Sequence, residues 1–131
     1  MPPELAAASL EDPDEVREFP HGSMAVVEVG ETVVGRVVFE PGWRWSEHVR
    51  ATAGTDSCMV LHVGYILSGR LAVRMDDGHE AEVGPGEVFV VPPGHDGWVV
   101  GDDPCVMLDW AGGASYARPS APRPGDSATD R

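Results

Sequence analysis

From Ala25 to Ala111 the chain sets short apolar runs between breaks rich in glycine and proline, and no window sustains a long helical period. Val26, Val27 and Val29, then Val33, Val34, Val37, Val38 and Phe39, predict two strands separated near Gly30. Pro41-Gly42 turns the chain into a segment with two tryptophans, Trp43 and Trp45. In the following run Cys58, Val60 and His62 share one face, and Met59, Leu61 and Val63 share the other. Gly64 is expected to mark a bulge or turn before Tyr65-Ile66-Leu67. The next strand, from Arg70 to Met75, enters a hairpin at Asp77-Gly78. Further strands are predicted around Val88–Val91, Trp98–Val100 and Cys105–Asp109.

The two ends carry a weaker pattern. Residues 3–19 hold at most one or two irregular helical turns, because Pro13 lacks an amide donor and clashes with the preceding turn. Residues 1–21 are therefore expected to form an arm, 22–112 the domain, and 113–131, rich in Pro, Ser and Ala, a disordered tail.

Eight to ten short strands leave two solutions, a sandwich or a rolled-up barrel. The barrel is favoured because polar residues recur on faces that should be internal, and a small cavity needs convergent polar groups. A short internal echo, in which Asp56 to His62 matches Asp103 to Asp109 at Asp, Cys and Leu, fits two strands in related positions.

Charge narrows the partners. Twenty-two acids face nine basic residues, all arginine, for a formal net charge of -13. Such a surface repels phosphate backbones and anionic membranes, so neither nucleic acid nor membrane is an expected partner. The opening MPPELAAAS lacks the apolar stretch of an export signal, and no window approaches a membrane span. The expected location is the cytoplasm, where Cys58 and Cys105 stay reduced.

The candidate chemistry gathers around Asp56, Cys58, His62 and His95, with Glu47 and His48 as additions. Thiolate and imidazole both bind zinc, copper or iron, and Cys58 and His62 project to one side, where a neighbouring strand can bring His95. Each also has a plain structural reading: Cys58 as a small buried hydrophobe, His62 as a satisfied core histidine, Asp96 as an acceptor of turn amides. Extended alternation would put Trp43, Trp45 and Glu47 together, lining a pocket, capping the domain or meeting a second subunit. A bound metal would polarise a carbonyl or activate water or dioxygen, whereas without one His62 or His95, with Glu47, would serve as acid or base. No Ser-His-Asp arrangement, phosphate loop or dinucleotide fingerprint is visible.

Gly86, Pro92 and Gly94 resemble the second motif of the cupins, G-x5-P-x-G-x2-H-x3-N, and Gly69 resembles the glycine that closes their first, G-x5-H-x-H-x3,4-E-x6-G. The resemblance covers about residues 25–111. It implies an all-β fold, the cupin-type double-stranded β-helix or jelly-roll barrel, commonly dimeric, with a divalent metal at one end of its cavity. The motif's metal positions differ here: its glutamate falls on His62, its first two histidines on Asp56 and Cys58, and its last on Gly97. His95 shares strand parity with Gly97, which yields a rearranged set of Cys58, His62 and His95 for Zn, Fe, Cu, Ni or Mn. The resemblance implies a small-molecule enzyme performing an oxygenation, isomerisation or elimination on a ligand in the barrel cavity. The alternatives are a non-catalytic binding or sensory cupin and a structural dimer module. A homodimer is expected, since pairing would cover exposed strand edges.

Overall fold

The computed structural model describes residues 4–113 and 116. These form nine strands and two short helical turns: β1 (Glu15–Phe19), β2 (Gly22–Val29), β3 (Thr32–Phe39), α1 (Trp45–His48), α2 (Arg50–Ala53), β4 (His62–Ser68), β5 (Leu71–Met75), β6 (Glu80–Val83), β7 (Val88–Val91), β8 (His95–Val99) and β9 (Cys105–Asp109). All strand pairs are antiparallel. One sheet has the order β1-β2-β3-β9-β4-β7 and the other β6-β5-β8, an all-β arrangement of jelly-roll type. No helix among the described residues is long and apolar enough to cross a membrane.

The valine-rich segment folds as a long hairpin because its only break is a two-residue loop. Gly30, at φ 60°, takes the first central position of that loop, where a hairpin turn compatible with strand twist needs positive φ. Inward residues of both sheets then meet in one core, with Met24, Val37, Phe89 and Met107 from the larger sheet and Leu71, Val73 and Val99 from the smaller.

Three expectations change. The N-terminal segment is not confined to helical turns: Glu15–Phe19 is a strand paired with β2, from Glu15↔Val26 to Phe19↔Gly22. Its inward position is occupied by Arg17, which masks the alternation of a strand. Burial of that guanidinium is made tolerable by Glu15 at 3.0 Å and by donation to the Tyr116 carbonyl at 2.7 Å. The tryptophan segment is not extended throughout, because residues 45–48 make a helical turn. Asp96 Oδ1 accepts the Ser46 and Gly97 amides at 3.0 and 2.9 Å and ties that turn to β8.

The third change concerns Gly64, which lies inside an unbroken β4. It is required by close approach: a Cβ there would collide with the Leu108 carbonyl oxygen of β9 and press on the Phe89 ring. The register irregularity of β4 falls later, between Ile66 and Ser68. Gly64 faces Asp109 across the β4–β9 pair and His62 opens β4, so this close strand contact sets the separation of two site residues.

Candidate metal centre

Cys58, His62 and His95 come together at one end of the space between the sheets, all buried. Cys58 precedes β4 and is pinned to the start of β8 by main-chain bonds, its amide donating to the His95 carbonyl at 2.8 Å and its carbonyl accepting the His95 amide at 3.2 Å. His62, at the start of β4, turns its Nε2 to Cys58 Sγ at 3.7 Å. Its ring meets that of His95 edge to face at 5.3 Å. One donor atom from each of the three residues fits within a span of 4.8 Å.

Both imidazoles are oriented from behind. His62 Nδ1 donates to Asp109 Oδ2 at 2.5 Å, while Asp109 Oδ1 accepts the amides of Ala111 and Gly112 at 3.0 and 2.9 Å. His95 Nδ1 donates to the Pro92 carbonyl at 2.7 Å. A carbonyl oxygen can only accept, so the proton of neutral His95 sits on Nδ1 and its Nε2 carries a lone pair.

The electrostatics follow from these contacts. Burial alone would push the Cys58 thiol up, but its hydrogen bonding with His62, and then with His95, outweighs burial and brings the pKa down to about 6. Burial would likewise push His62 down, yet the bonds to Asp109 and Cys58 raise it to about 9. Asp109 is held below the usual carboxylate range despite its burial, first by its bond to His62. Cys105, buried without such partners, is pushed up to about 11.

The cluster borders a pocket walled by Phe39, Trp43, Trp45, Val73, Phe89 and Met107. Its enclosed part leaves about 30 Å³ for the centre of a water-sized sphere, where a single water needs roughly 10–15 Å³. Gly97 lines the pocket with no side chain at the position where the cupin motif carries its last histidine.

The other sequence candidates lie elsewhere. Glu47 is exposed and sits 3.7 Å from Arg44, on a turn that leads it away from buried Trp43 and Trp45. Asp56 is fully exposed and faces Arg50 at 3.8 Å. His48 packs on His21 with ring centres 4.4 Å apart and accepts the Arg44 amide at 3.0 Å.

Two residues of the site escaped sequence reasoning. Asp109 did carry a signal, because it shares strand parity with Cys105 and Met107 and so stands as a charge on the apolar face. Tyr116 carried none. It lies within the predicted tail yet is buried against Phe19, Phe39 and His62, with its ring centre 5.2 Å from that of His62. The rest of the predicted tail beyond Gly113 falls outside the described residues.

Two antiparallel sheets enclosing a histidine-bearing pocket at one end define a small jelly-roll domain with an internal site. The chain belongs to the cupin family, since the profile of the cupin domain matches residues 35–111. Among curated proteins nothing matches. Solved structures share the fold at low identity. The polyketide cyclase RemF from Streptomyces resistomycificus is 21% identical with a TM-score of 0.56, covering 82% of this chain and 79% of that one. A protein of unknown function from Rhizobium leguminosarum is 22% identical with a TM-score of 0.53, covering 69% and 79%. The oxalate decarboxylase of Lactobacillus farciminis is 17% identical with a TM-score of 0.53, covering 76% of this chain but only 31% of its own.

The donor set suits a divalent ion. Tetrahedral coordination with Zn–S and Zn–N bonds of ~2.3 and ~2.05 Å places S and N about 3.6 Å apart, against 3.7 Å between Cys58 Sγ and His62 Nε2. A carboxylate or carbonyl behind each histidine is the support that metal-bound imidazoles receive.

Proposed function

We propose that this chain is a metal-dependent cupin acting on a small organic molecule in the pocket beside Cys58, His62 and His95. One observation carries the reading: both imidazoles are bonded through Nδ1 to an outer acceptor, and their Nε2 atoms are left to converge with a thiol of lowered pKa. Three protein donors leave a coordination position for a ligand.

When bound there, the metal supplies Lewis acidity toward an oxygen of the ligand. The chain's own residues do the remaining work. Asp109 fixes the ring and tautomer of His62, and the Pro92 carbonyl does the same for His95. Phe39, Trp43, Phe89 and Met107 exclude water from the reacting end and hold an apolar body. The reactions this suits are oxygenation, isomerisation or elimination on a small organic acid or polyketide-like compound. A reducing cytoplasm fits a site built on a free thiol.

The reading is tested by purifying the full chain without added metal, measuring bound metal by elemental analysis, and titrating the metal-free protein. Stoichiometric uptake of zinc, iron, copper, nickel or manganese, lost in Cys58→Ala, is expected. Protein that arrives empty and takes up none of them overturns it.

A second reading, a binding or sensory cupin without catalysis, draws support from the apolar pocket itself. Saturable ligand binding by protein that never holds metal would favour it over the first.

The proposed oligomer is a homodimer. β7 ends the larger sheet, and its outward Val88 and Val90 are exposed beside Leu67 of β4. A free edge next to an apolar stripe is a surface that a second copy can cover symmetrically.

A further inference from the structure

One wall of the pocket is built by residues from the two ends of the fold. Arg17 of β1 and Tyr116, beyond β9, both lie outside residues 35–111, the span that matches the cupin domain. Tyr116 lines the pocket and is 3% exposed. Its ring stands edge-on to that of His62 with centres 5.2 Å apart, and edge-on to Phe19 and Phe39 at 6.0 and 6.4 Å. The chain can bring it there because the backbone passes close over the site at Gly112, where a Cβ would come within 2.8 Å of His62 Nδ1 and of Val60. The Tyr116 amide then donates to the Gly112 carbonyl at 2.9 Å.

Arg17 is the other half of this wall. Its guanidinium is buried beside Met24 at an inward position of β1, where an aliphatic residue would pack at lower cost. Nε and Nη2 donate to the two oxygens of Glu15 at 3.0 and 3.2 Å, a fork that offsets the charge and fixes the plane of the group. The remaining nitrogen, Nη1, donates to the Tyr116 carbonyl at 2.7 Å, across 99 residues of sequence. Arg17 is not itself among the pocket walls. It reaches the site through Tyr116.

With Tyr116 docked, the enclosed part of the pocket leaves about 30 Å³ for the centre of a water-sized sphere. That is far less than the roughly 150 Å³ of an apolar cavity that takes up benzene. We infer that Tyr116, held in place by Arg17, sets the size of the ligand admitted beside Cys58, His62 and His95: a short aliphatic chain reaches them and six-membered rings are kept out. This rests on the proposed role of the pocket as a ligand site, but not on the presence of metal. It narrows the ligand class to short-chain compounds over ring-bearing, polyketide-like ones. Tyr116 is the specificity-determining residue, and Arg17 is a positioning residue that acts through it.

The test dissolves propane and benzene into metal-free full-length protein and follows the ring-proton resonances of His62 and His95. In the native chain propane is expected to shift them and benzene to leave them in place. Tyr116→Ala should bind benzene at least tenfold more tightly than the native chain. Arg17→Met, which retains the tyrosine and fills the space of the arginine stem, should do the same, and Tyr116→Phe, which keeps the ring, should behave as native. Tyr116→Leu repeats the test with the apolar packing retained, should the alanine variant fail to fold. Positioning is read from the nuclear Overhauser effect between the ring protons of Tyr116 and His62, present in the native chain and lost in Arg17→Met; a mere loss of stability would leave it intact in the folded fraction. Benzene binding by the native chain, its exclusion from both Tyr116→Ala and Tyr116→Leu, or imidazoles unmoved by propane overturns the size limit. An intact Overhauser effect in Arg17→Met overturns the role of Arg17. Ring exclusion that depends on both residues, in a chain that refuses zinc, would uphold the wall while overturning the metal reading. Zinc uptake by a native chain that admits benzene would do the reverse.

Discussion

His62 Nδ1 and Asp109 Oδ2 stand 2.5 Å apart with both side chains almost wholly buried, so the carboxylate sets which nitrogen of the imidazole faces Cys58. That bond fixes the proton on Nδ1 in the neutral ring and stabilises the imidazolium when the ring is charged. Asp109→Asn should keep the shape but lose the charge. Metal affinity is expected to fall about 10–100-fold, measured by competition with a chelator. The His62 pKa should drop from about 9, seen by NMR titration. Asp109→Ala, which also strips the Ala111 and Gly112 amides of their acceptor, should cost about 3–5 kcal/mol in urea denaturation, the range for breaking a buried ion pair.

The two cysteines should titrate far apart. Cys58 falls to about 6 because hydrogen bonding with His62, and then with His95, outweighs the effect of burial, whereas burial alone raises Cys105 to about 11. Metal-free protein should therefore gain one thiolate as pH rises from 4.5 to 8, with its midpoint near 6, read as absorbance at 240 nm. Cys58→Ser should abolish the step and Cys105→Ser should leave it in place. His62→Gln, which removes the leading charged donor, should move the midpoint upward. A single step near 8.5 in the native chain would show that the thiol lacks this support from the two imidazoles.

Metal uptake should depend on pH with a slope that follows from the same two groups. Metal binding needs both Cys58 Sγ and His62 Nε2 free of protons. Between pH 6 and 9 the thiol is already ionised and His62 still carries its extra proton. Binding should then release His62's proton, and affinity should rise about tenfold per pH unit from this group. Below pH 6 Cys58 adds a second competing proton, so affinity should fall more steeply; above 9 the contribution of both groups levels off. Proton release measured in weakly buffered solution at pH 7.5, beside chelator competition at several pH values, checks the sign and the slope.

Much of the fold was legible because its code is local. Strand alternation, the Gly30 hairpin and the core positions depend on residue spacing, and the second glycine-proline motif announced the cupin domain. What was hidden depends on contacts across the sheets. β1 was missed because its inward residue is Arg17, whose charge is satisfied by Glu15 and by the distant Tyr116 carbonyl. The sequence placed Cys58, His62 and His95 together by parity, and they do converge. It placed Glu47 beside the tryptophans on the assumption of an extended chain, and the helical turn at 45–48 rotates it to the surface. Asp109 lies 47 residues from His62, and only the pairing of β4 with β9 makes them neighbours. Tyr116 has no pattern around it, since a single residue docking into a pocket creates no period.

Covering of the β7 edge should depend on its outward valines. Val88 and Val90 are 67% and 64% exposed and stand opposite Tyr65 and Val63 of β4 on the outer face. Val90→Lys places a charge on the proposed dimer stripe without entering the core, because Val90 points outward while Phe89 and Val91 point in. Sedimentation should show dimers of the native chain and a shift toward monomer in Val90→Lys, with the thermal transition of the monomer little changed. A native chain that remains monomeric at high concentration would remove the homodimer.

The short distance between His62 and Asp109 depends on Gly64. β4 and β9 approach so closely there that a Cβ would strike the Leu108 carbonyl oxygen, which is backbone and cannot rotate aside. The Phe89 ring closes the other side, so the new methyl group has no free direction. Gly64→Ala should force the strands apart at the register pair Gly64↔Asp109, two residues from His62. Overpacking of this kind costs roughly 1–3 kcal/mol, and here the displaced element carries the site. Stability should fall by about that amount in urea denaturation, and the His62 pKa and metal affinity should fall with it, because the strand separation lengthens the imidazole–carboxylate bond. Leu67→Ala, on the exposed outer side of the same strand, is the control. It should leave both site properties unchanged, and a Gly64→Ala protein with native His62 titration would show that the close approach does not set the geometry of the pair.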